Sequence, residues 1–325
     1  MATTPAPLAP GRPILHYLEM LISAAAIAVV VWATVSSWGG IVHGHPAYIV
    51  VLALTVVGAI VAAFITGLPR ARPRRKPRTV LRSFAVAAGI GWLAIVAWLA
   101  PHSAVEPALA AMQSDASVTV TDTSTEIVFT PTGDADGTGV FFQPGALVDA
   151  RAYAAVLRPL AADGHTVVIT KQPLGIAFLA MGALDAARAA HPEITGWVVG
   201  GHSLGGTVAA IEAGNADDNA DDAAVAPAVA LLLFASYPAN DISASLTVPV
   251  ASISGSNDGL STPAKIEASA ANLPADAEFI TIDGAVHAQF GAYGSQAGDG
   301  VATSSAESAL RQIVAASRAF VAGLA

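Results

Sequence analysis

Residues 198–210 read Val-Val-Gly-Gly-His-Ser-Leu-Gly-Gly-Thr-Val-Ala-Ala, and this stretch decides the fold. An apolar run enters it, a G-x-S-x-G motif formed by Gly201, His202, Ser203, Leu204 and Gly205 turns it, and small residues with a helical period leave it. In that setting Ser203 stands at the tip of a sharp strand-to-helix turn, with its hydroxyl presented at one end of a parallel sheet. Gly201 and Gly205 suit such a turn because backbone and helix approach too closely there for side chains. The chain has 29 glycines, so the motif draws its weight from the strand before it and the helix after it.

Working outward, β-branched and apolar runs predict strands at 117–121, 126–131, 139–143, 165–170, 196–200, 228–236, 248–254 and 278–282. Between them, helices are expected at 149–162 and 175–190, with a closing helix at 304–324. This alternation is that of an α/β fold, a mostly parallel sheet covered by helices on both faces. Residues 132–139 form a Gly/Asp turn in which Asp134 and Asp136 lack the later glycine and glutamate of a calcium loop. The acidic repeat at 215–222 reads as a solvated loop rather than a cation site.

A serine hydroxyl becomes a useful nucleophile only when a base takes its proton. In this architecture the order along the chain is serine, then acid, then histidine. Of the eight histidines only His287 lies downstream of Ser203, which makes it the candidate base. Asp258, in the loop Gly-Ser-Asn-Asp-Gly after the strand at 248–254, is the candidate acid, and Asp241, one strand earlier, is its competitor. An oxyanion hole is expected from the backbone N–H of Leu204 and a second N–H in the loop Phe142-Gln143-Pro144-Gly145-Ala146, with Ala146 the expected donor. Only residues 237–247 separate two late strands, so no large lid is expected. The loops at 174–178 and 289–296 are then the pocket rim.

With Gly-His-Ser-Leu-Gly-Gly, Asp258 and His287 in place, the chain resembles the α/β-hydrolase superfamily. The strings Gln-Pro-Gly-Ala-Leu-Val-Asp, Lys-Gln-Pro-Leu-Gly-Ile-Ala-Phe and Gly-Ala-Val-His-Ala-Gln-Phe-Gly-Ala-Tyr-Gly are similar to the bacterial alpha/beta hydrolase fold-5 subgroup. The resemblance covers roughly residues 126–324 and implies a Ser-His-Asp triad. The chain departs from the common histidine-glycine oxyanion pattern in having Pro144-Gly145.

The first hundred residues have another character. The hydrophobic fraction is 54% and the mean hydropathy +0.59, more than a soluble domain needs. Residues 1–13 are rich in Pro, Ala and Thr and read as a disordered tail. Apolar runs at about 14–35, 47–68 and 83–100, uncharged except for Glu19 near the start of the first, match a hydrocarbon core of about 30 Å, so three transmembrane helices are expected. A cleaved leader is the alternative for the first run, and the two spans that follow argue against it. Residues 101–116 are expected to be a stalk, and 117–325 the α/β domain.

Charge sets the expected orientation. Seven positive residues from Arg70 to Arg82 lie between the second and third spans, and the positive-inside rule puts them in the cytoplasm. The N-terminus is then cytoplasmic and everything after residue 100 extracytoplasmic, with Trp38, Tyr48 and Trp98 at the outer ends. The remaining 225 residues hold 7 basic against 23 acidic residues. Nothing there could neutralise phosphates, so no nucleic-acid partner is expected.

Without cysteine, disulfides and thiolate chemistry are excluded. His43-Gly44-His45 lacks a third ligand, and neither a metal nor an organic cofactor is expected. The expected activity is that of a membrane-anchored serine hydrolase of carboxylesterase type, acting on a small-molecule or envelope-derived acyl ester. The alternatives are an acyltransferase with the same triad and a non-catalytic scaffold that keeps the fold.

Overall fold

The apolar runs at the start of the chain become three long helices: α1 (Ile14–Ser36), α3 (Ala47–Gly67) and α4 (Lys76–Trp98). The computed structural model describes residues 14–68, 76–218 and 226–324. The tail at 1–13, the Arg70–Arg75 part of the basic cluster and residues 219–222 of the acidic repeat lie outside them, while residues 215–218, expected as part of a loop, form the last turn of the helix Leu204–Asp218. The chain divides into two compact units, one containing Ile49–Ala100 with the residues up to Ser36, the other Ser37–Tyr48 with Pro101–Ala325.

In the first unit, Ile14–Ser36, Ala47–Gly67 and Thr79–Trp98 are each long and apolar enough to cross a membrane. Large side chains such as Leu54, Phe64, Leu81 and Phe84 are more than half exposed, a surface that suits lipid. Several polar groups within these helices find internal partners, as a lipid environment favours. Ser23, Thr34 and Thr55 donate to carbonyls one turn back, and Trp92 Nε1 donates to Thr55 Oγ1 at 3.0 Å. Glu19, the one acidic residue of these helices, pairs with Arg82 and accepts from Thr66 Oγ1 at 3.2 Å.

The second unit is built on eight strands: β1 (Val118–Asp122), β2 (Glu126–Pro131), β3 (Thr138–Gln143), β4 (Thr166–Thr170), β5 (Gly196–His202), β6 (Ala228–Phe234), β7 (Val250–Gly255) and β8 (Glu278–Ile282). Their order in the sheet is β1-β2-β4-β3-β5-β6-β7-β8. β1 with β2 and β2 with β4 are antiparallel, and the rest of the sheet is parallel. β5 and β7 are buried along their whole length, as central strands covered on both faces must be.

The strand period of two sends neighbouring residues to opposite faces. Val140, Phe142, Val198 and Leu232 join one core with α6 (Ala154–Ala162) and α10 (Ala306–Ala322). Phe141, Val199, Leu231 and Leu233 join the other with α7 (Ala183–Ala190) and α8 (Leu204–Asp218). The pairings Gln143 with Gly201, His202 with Phe234 and Gly255 with Ile282 bring the C-terminal ends of these strands to one sheet edge.

Three local expectations change. The helix expected at 175–190 is two 3-10 turns, Pro173–Gly175 and Ala177–Ala180, followed by α7. Left-handed backbone at Leu174 (φ 54°), Gly175 (φ 63°) and Gly182 (φ 87°) interrupts it. Residues 101–116, expected as a stalk, pack into the sheet unit: His102 N–H donates to Leu147 O, Ala104 N–H to Asp149 Oδ2 and Val105 N–H to Ala292 O, and α5 (Ala108–Ala111) forms within them. A further helix, α9 (Pro263–Ser269), starts at Thr262, whose side chain caps it with Pro263 in the first turn.

Ser37–Tyr48, which contains α2 (Trp38–Val42), also belongs to the sheet unit, with Gly40 N–H donating to Ser103 Oγ. His43 lies 3.8 Å from Asp122, while His45 Nδ1 accepts from Ala47 N–H. Among the described residues no three His, Cys, Asp or Glu side chains gather as metal ligands would.

Candidate active site

Ser203 lies between the end of β5 and the start of α8 with φ at 52°, a conformation that L residues other than Asn and Asp seldom adopt. The turn is tied down on both sides. Ser203 N–H donates to Phe234 O at 3.0 Å, and Ser236 Oγ donates to Ser203 O at 2.6 Å. A Cβ on Gly201 would lie 2.5 Å from the Gly205 carbonyl carbon, and one on Gly205 would overlap the Gln143 and Pro144 carbonyl oxygens. The glycines flanking the serine are therefore required by backbone contact.

Asp258 and His287 come together from the loops after β7 and β8. His287 Nδ1 lies 2.8 Å from Asp258 Oδ2, and both residues are almost fully buried. The other carboxylate oxygen, Asp258 Oδ1, accepts from Leu260 N–H and Ser261 N–H, each at 2.7 Å. The acid is thus fixed before it fixes the imidazole. His287 Nε2 is buried and makes no hydrogen bond, to Ser203 or to any other described residue. Asp241, the competing acid, is exposed and accepts from Ser243 Oγ and Ser243 N–H, bonds that hold its carboxyl below the usual range.

His202, the residue before Ser203, connects these parts. Its ring centroid lies 4.5 Å from that of His287. Its Nδ1 is 2.8 Å from the Tyr153 hydroxyl, which accepts from Gly145 N–H at 2.8 Å. Burial, and then the neighbouring His287, press the His202 pKa well below its ordinary value, so the ring is neutral. The tyrosine hydroxyl, which burial holds protonated, donates to Nδ1, leaving the imidazole proton on Nε2.

The loop after β3 leaves one N–H open. Gly145 N–H goes to Tyr153, Leu147 N–H to Gly175 O and Val148 N–H to Gly145 O. Ala146 N–H takes no partner among the described residues, nor does Leu204 N–H at the start of α8. These are the two expected oxyanion donors. Beneath them lies a buried polar chain: Gln172 Nε2 donates to Gln143 Oε1 and to Pro144 O, and Gln143 Nε2 donates to Glu212 Oε2 at 2.9 Å. Burial pushes the Glu212 carboxyl up to about 7, against the pull of donors from Gln143, Leu184 and Gly182.

Tyr153, Ser236 and Glu212 lie in no motif, Gln143 and Gln172 fall in strings that carry the family resemblance without a role expected of them, and each meets the site through a partner 28 or more residues away. Chain order leaves His287 as a single candidate base and Asp258 and Asp241 as competing acids, of which the structure brings Asp258 to His287. In the loops expected as the pocket rim, Phe178 is about half exposed, and Tyr293 donates to Gln296 Oε1.

A sequence profile described as the Alpha/beta hydrolase family matches residues 139–311. No curated protein sequence matches the chain. Among solved structures the chain is similar to Est1E from Butyrivibrio proteoclasticus, at 13% identity and a TM-score of 0.46 over 64% of this chain and 99% of that one. It is similar to the esterase domain of a Rhodothermus marinus protein at 13% identity and a TM-score of 0.45, over 59% and 90% of the two chains. For TT1662 from Thermus thermophilus the values are 14%, 0.42, 52% and 90%.

Proposed function

The chain belongs to the alpha/beta hydrolase family, whose profile covers more than half of it, and from that premise we propose that it is a membrane-anchored, extracytoplasmic serine hydrolase acting on carboxylic esters. The observation that carries the reading is the buried 2.8 Å bond between His287 Nδ1 and Asp258 Oδ2. It commits one imidazole nitrogen to the acid and leaves the other open. The strained serine at the end of β5 supports it.

In this reading Ser203 Oγ attacks the ester carbonyl while its proton passes to His287 Nε2. The carbonyl oxygen becomes an oxyanion facing the N–H groups of Leu204 and Ala146, each such donor being worth on the order of 10² to 10³ in rate. Collapse breaks the bond to the alkoxy group, which leaves as the alcohol with the proton from His287. Water, deprotonated by the same nitrogen, then attacks the acyl-serine and releases the acid. Asp258 holds the imidazole in the required tautomer throughout.

Ser203→Ala tests the chemistry. Hydrolysis of a chromogenic short-chain ester should fall by several orders of magnitude with the thermal transition retained, and a fluorophosphonate probe should label the wild type alone. Equal hydrolysis by the variant would sink the assignment. Three spans with the basic residues between the second and third support an extracytoplasmic sheet unit. Periplasmic-type reporters fused after residue 100 should be active, and silent reporters would reverse the orientation.

A further inference from the structure

Asp299 lies outside the proposed triad, in a Gly298-Asp299-Gly300 loop that packs backbone to backbone on Asn257-Asp258-Gly259. A Cβ on Gly259 would stand 2.6 Å from Gly300 N, and one on Gly300 would overlap the Asn257 carbonyl oxygen. Two side-chain-free positions thus let the loops touch, and the side chain between Gly298 and Gly300 reaches across. Asp299 Oδ1 accepts from Gly259 N–H at 3.1 Å, from His287 N–H at 3.1 Å and from Gly300 N–H at 2.7 Å. Asp299 Oδ2 accepts from Ala288 N–H at 2.8 Å.

One carboxylate therefore bonds the residue after Asp258 and the backbone of His287 itself. The two loops leave different strands, β7 and β8, and the acid-to-imidazole bond depends on their spacing. Other ties between them, Asn257 N–H to Ala285 O and Gly284 N–H to Ser256 Oγ, sit nearer the strands. Without Asp299 the loops stay attached at their bases, and at their tips the Asp258–His287 bond itself is left to hold them. Productive geometry tolerates about 0.5 Å, and charge-assisted bonds are about twice as strong as neutral ones. We propose that Asp299 is a positioning residue, which holds the Asp258 and His287 loops at one spacing so that the imidazole stays aligned on Ser203. The proposal rests on the Ser203-His287-Asp258 reading.

The test compares wild type, Asp299→Ala and Asp299→Asn as full-length proteins in detergent micelles, with p-nitrophenyl acetate as substrate and a fluorophosphonate to count and time serine labelling. Asp299→Ala should lower kcat by about 10- to 100-fold, the scale of a misplacement near 1 Å, with KM within about threefold and labelling slowed in proportion. Asp299→Asn keeps one acceptor oxygen and should fall between. Both variants retaining kcat within twofold, with only the melting temperature lowered, would mark a purely structural role and overturn the proposal. If Asp299→Ala does not fold, Asp299→Asn decides by the same criterion. A wild type that neither hydrolyses the ester nor labels at Ser203 removes the triad reading and this proposal with it. A wild type that does both, beside unaltered variants, removes this proposal alone.

Discussion

The Tyr153 hydroxyl donates to His202 Nδ1 across 2.8 Å inside the core while accepting Gly145 N–H at the same distance. One oxygen thus joins the residue before the nucleophile to the residue before the expected oxyanion donor Ala146. Tyr153→Phe keeps the ring and strands both partners. Each buried group left unsatisfied costs about 1–3 kcal/mol, so urea denaturation should show a loss of about 2–6 kcal/mol. A loss below about 1 kcal/mol would mean that the hydroxyl contributes nothing at this junction.

Asp258→Asn separates orientation from folding. The retained Oδ1 still accepts from Leu260 and Ser261 N–H, so the thermal transition should move by only a few degrees. The new amide would donate to His287 Nδ1, forcing the imidazole proton onto Nε2, where it blocks proton transfer from Ser203. In the Ser-His-Asp template that change costs about 10⁴-fold in kcat, and a drop of about 10³ to 10⁴ is expected in steady-state assays. Asp241→Asn, at the exposed competitor, should leave kcat unchanged. The reverse pattern would transfer the acid role to Asp241.

How far the sequence foretells this site depends on how each residue acts. Ser203 and His287 were legible because the motif names one and chain order leaves a single candidate for the other. The membrane-competent helices were legible because charge is nearly absent over long apolar runs, a signal that needs no tertiary contact. The break at 173–182 was only half visible: Pro173, Gly175 and Gly182 punctuate it, but the left-handed backbone of Leu174 has no marker. Tyr153 reads as one more core aromatic and Glu212 as a surface charge on a helix. Their roles arise from partners 49 and 69 residues away, which only the folded sheet edge brings together.

Glu212 should give the protein a pH-dependent stability that Glu212→Gln lacks. Its carboxyl is raised from an ordinary 4.5 to about 7, first by burial and further by Asp185, while Gln143, Leu184 and Gly182 donate to it and pull the other way. The folded protein thus keeps a proton that the unfolded chain releases between about pH 4.5 and 7. This contribution is fully present below pH 4.5 and lost as pH rises through 7, by about 3 kcal/mol. His202, held neutral by burial, affects wild type and variant alike and cancels in the comparison. Denaturation at pH 5 and pH 8 should therefore show the stability of Glu212→Gln rising relative to wild type as pH increases. Parallel stability curves for the two proteins would show that Glu212 stays ionised in the fold, with the Gln143 and Gly182 donors outweighing its burial.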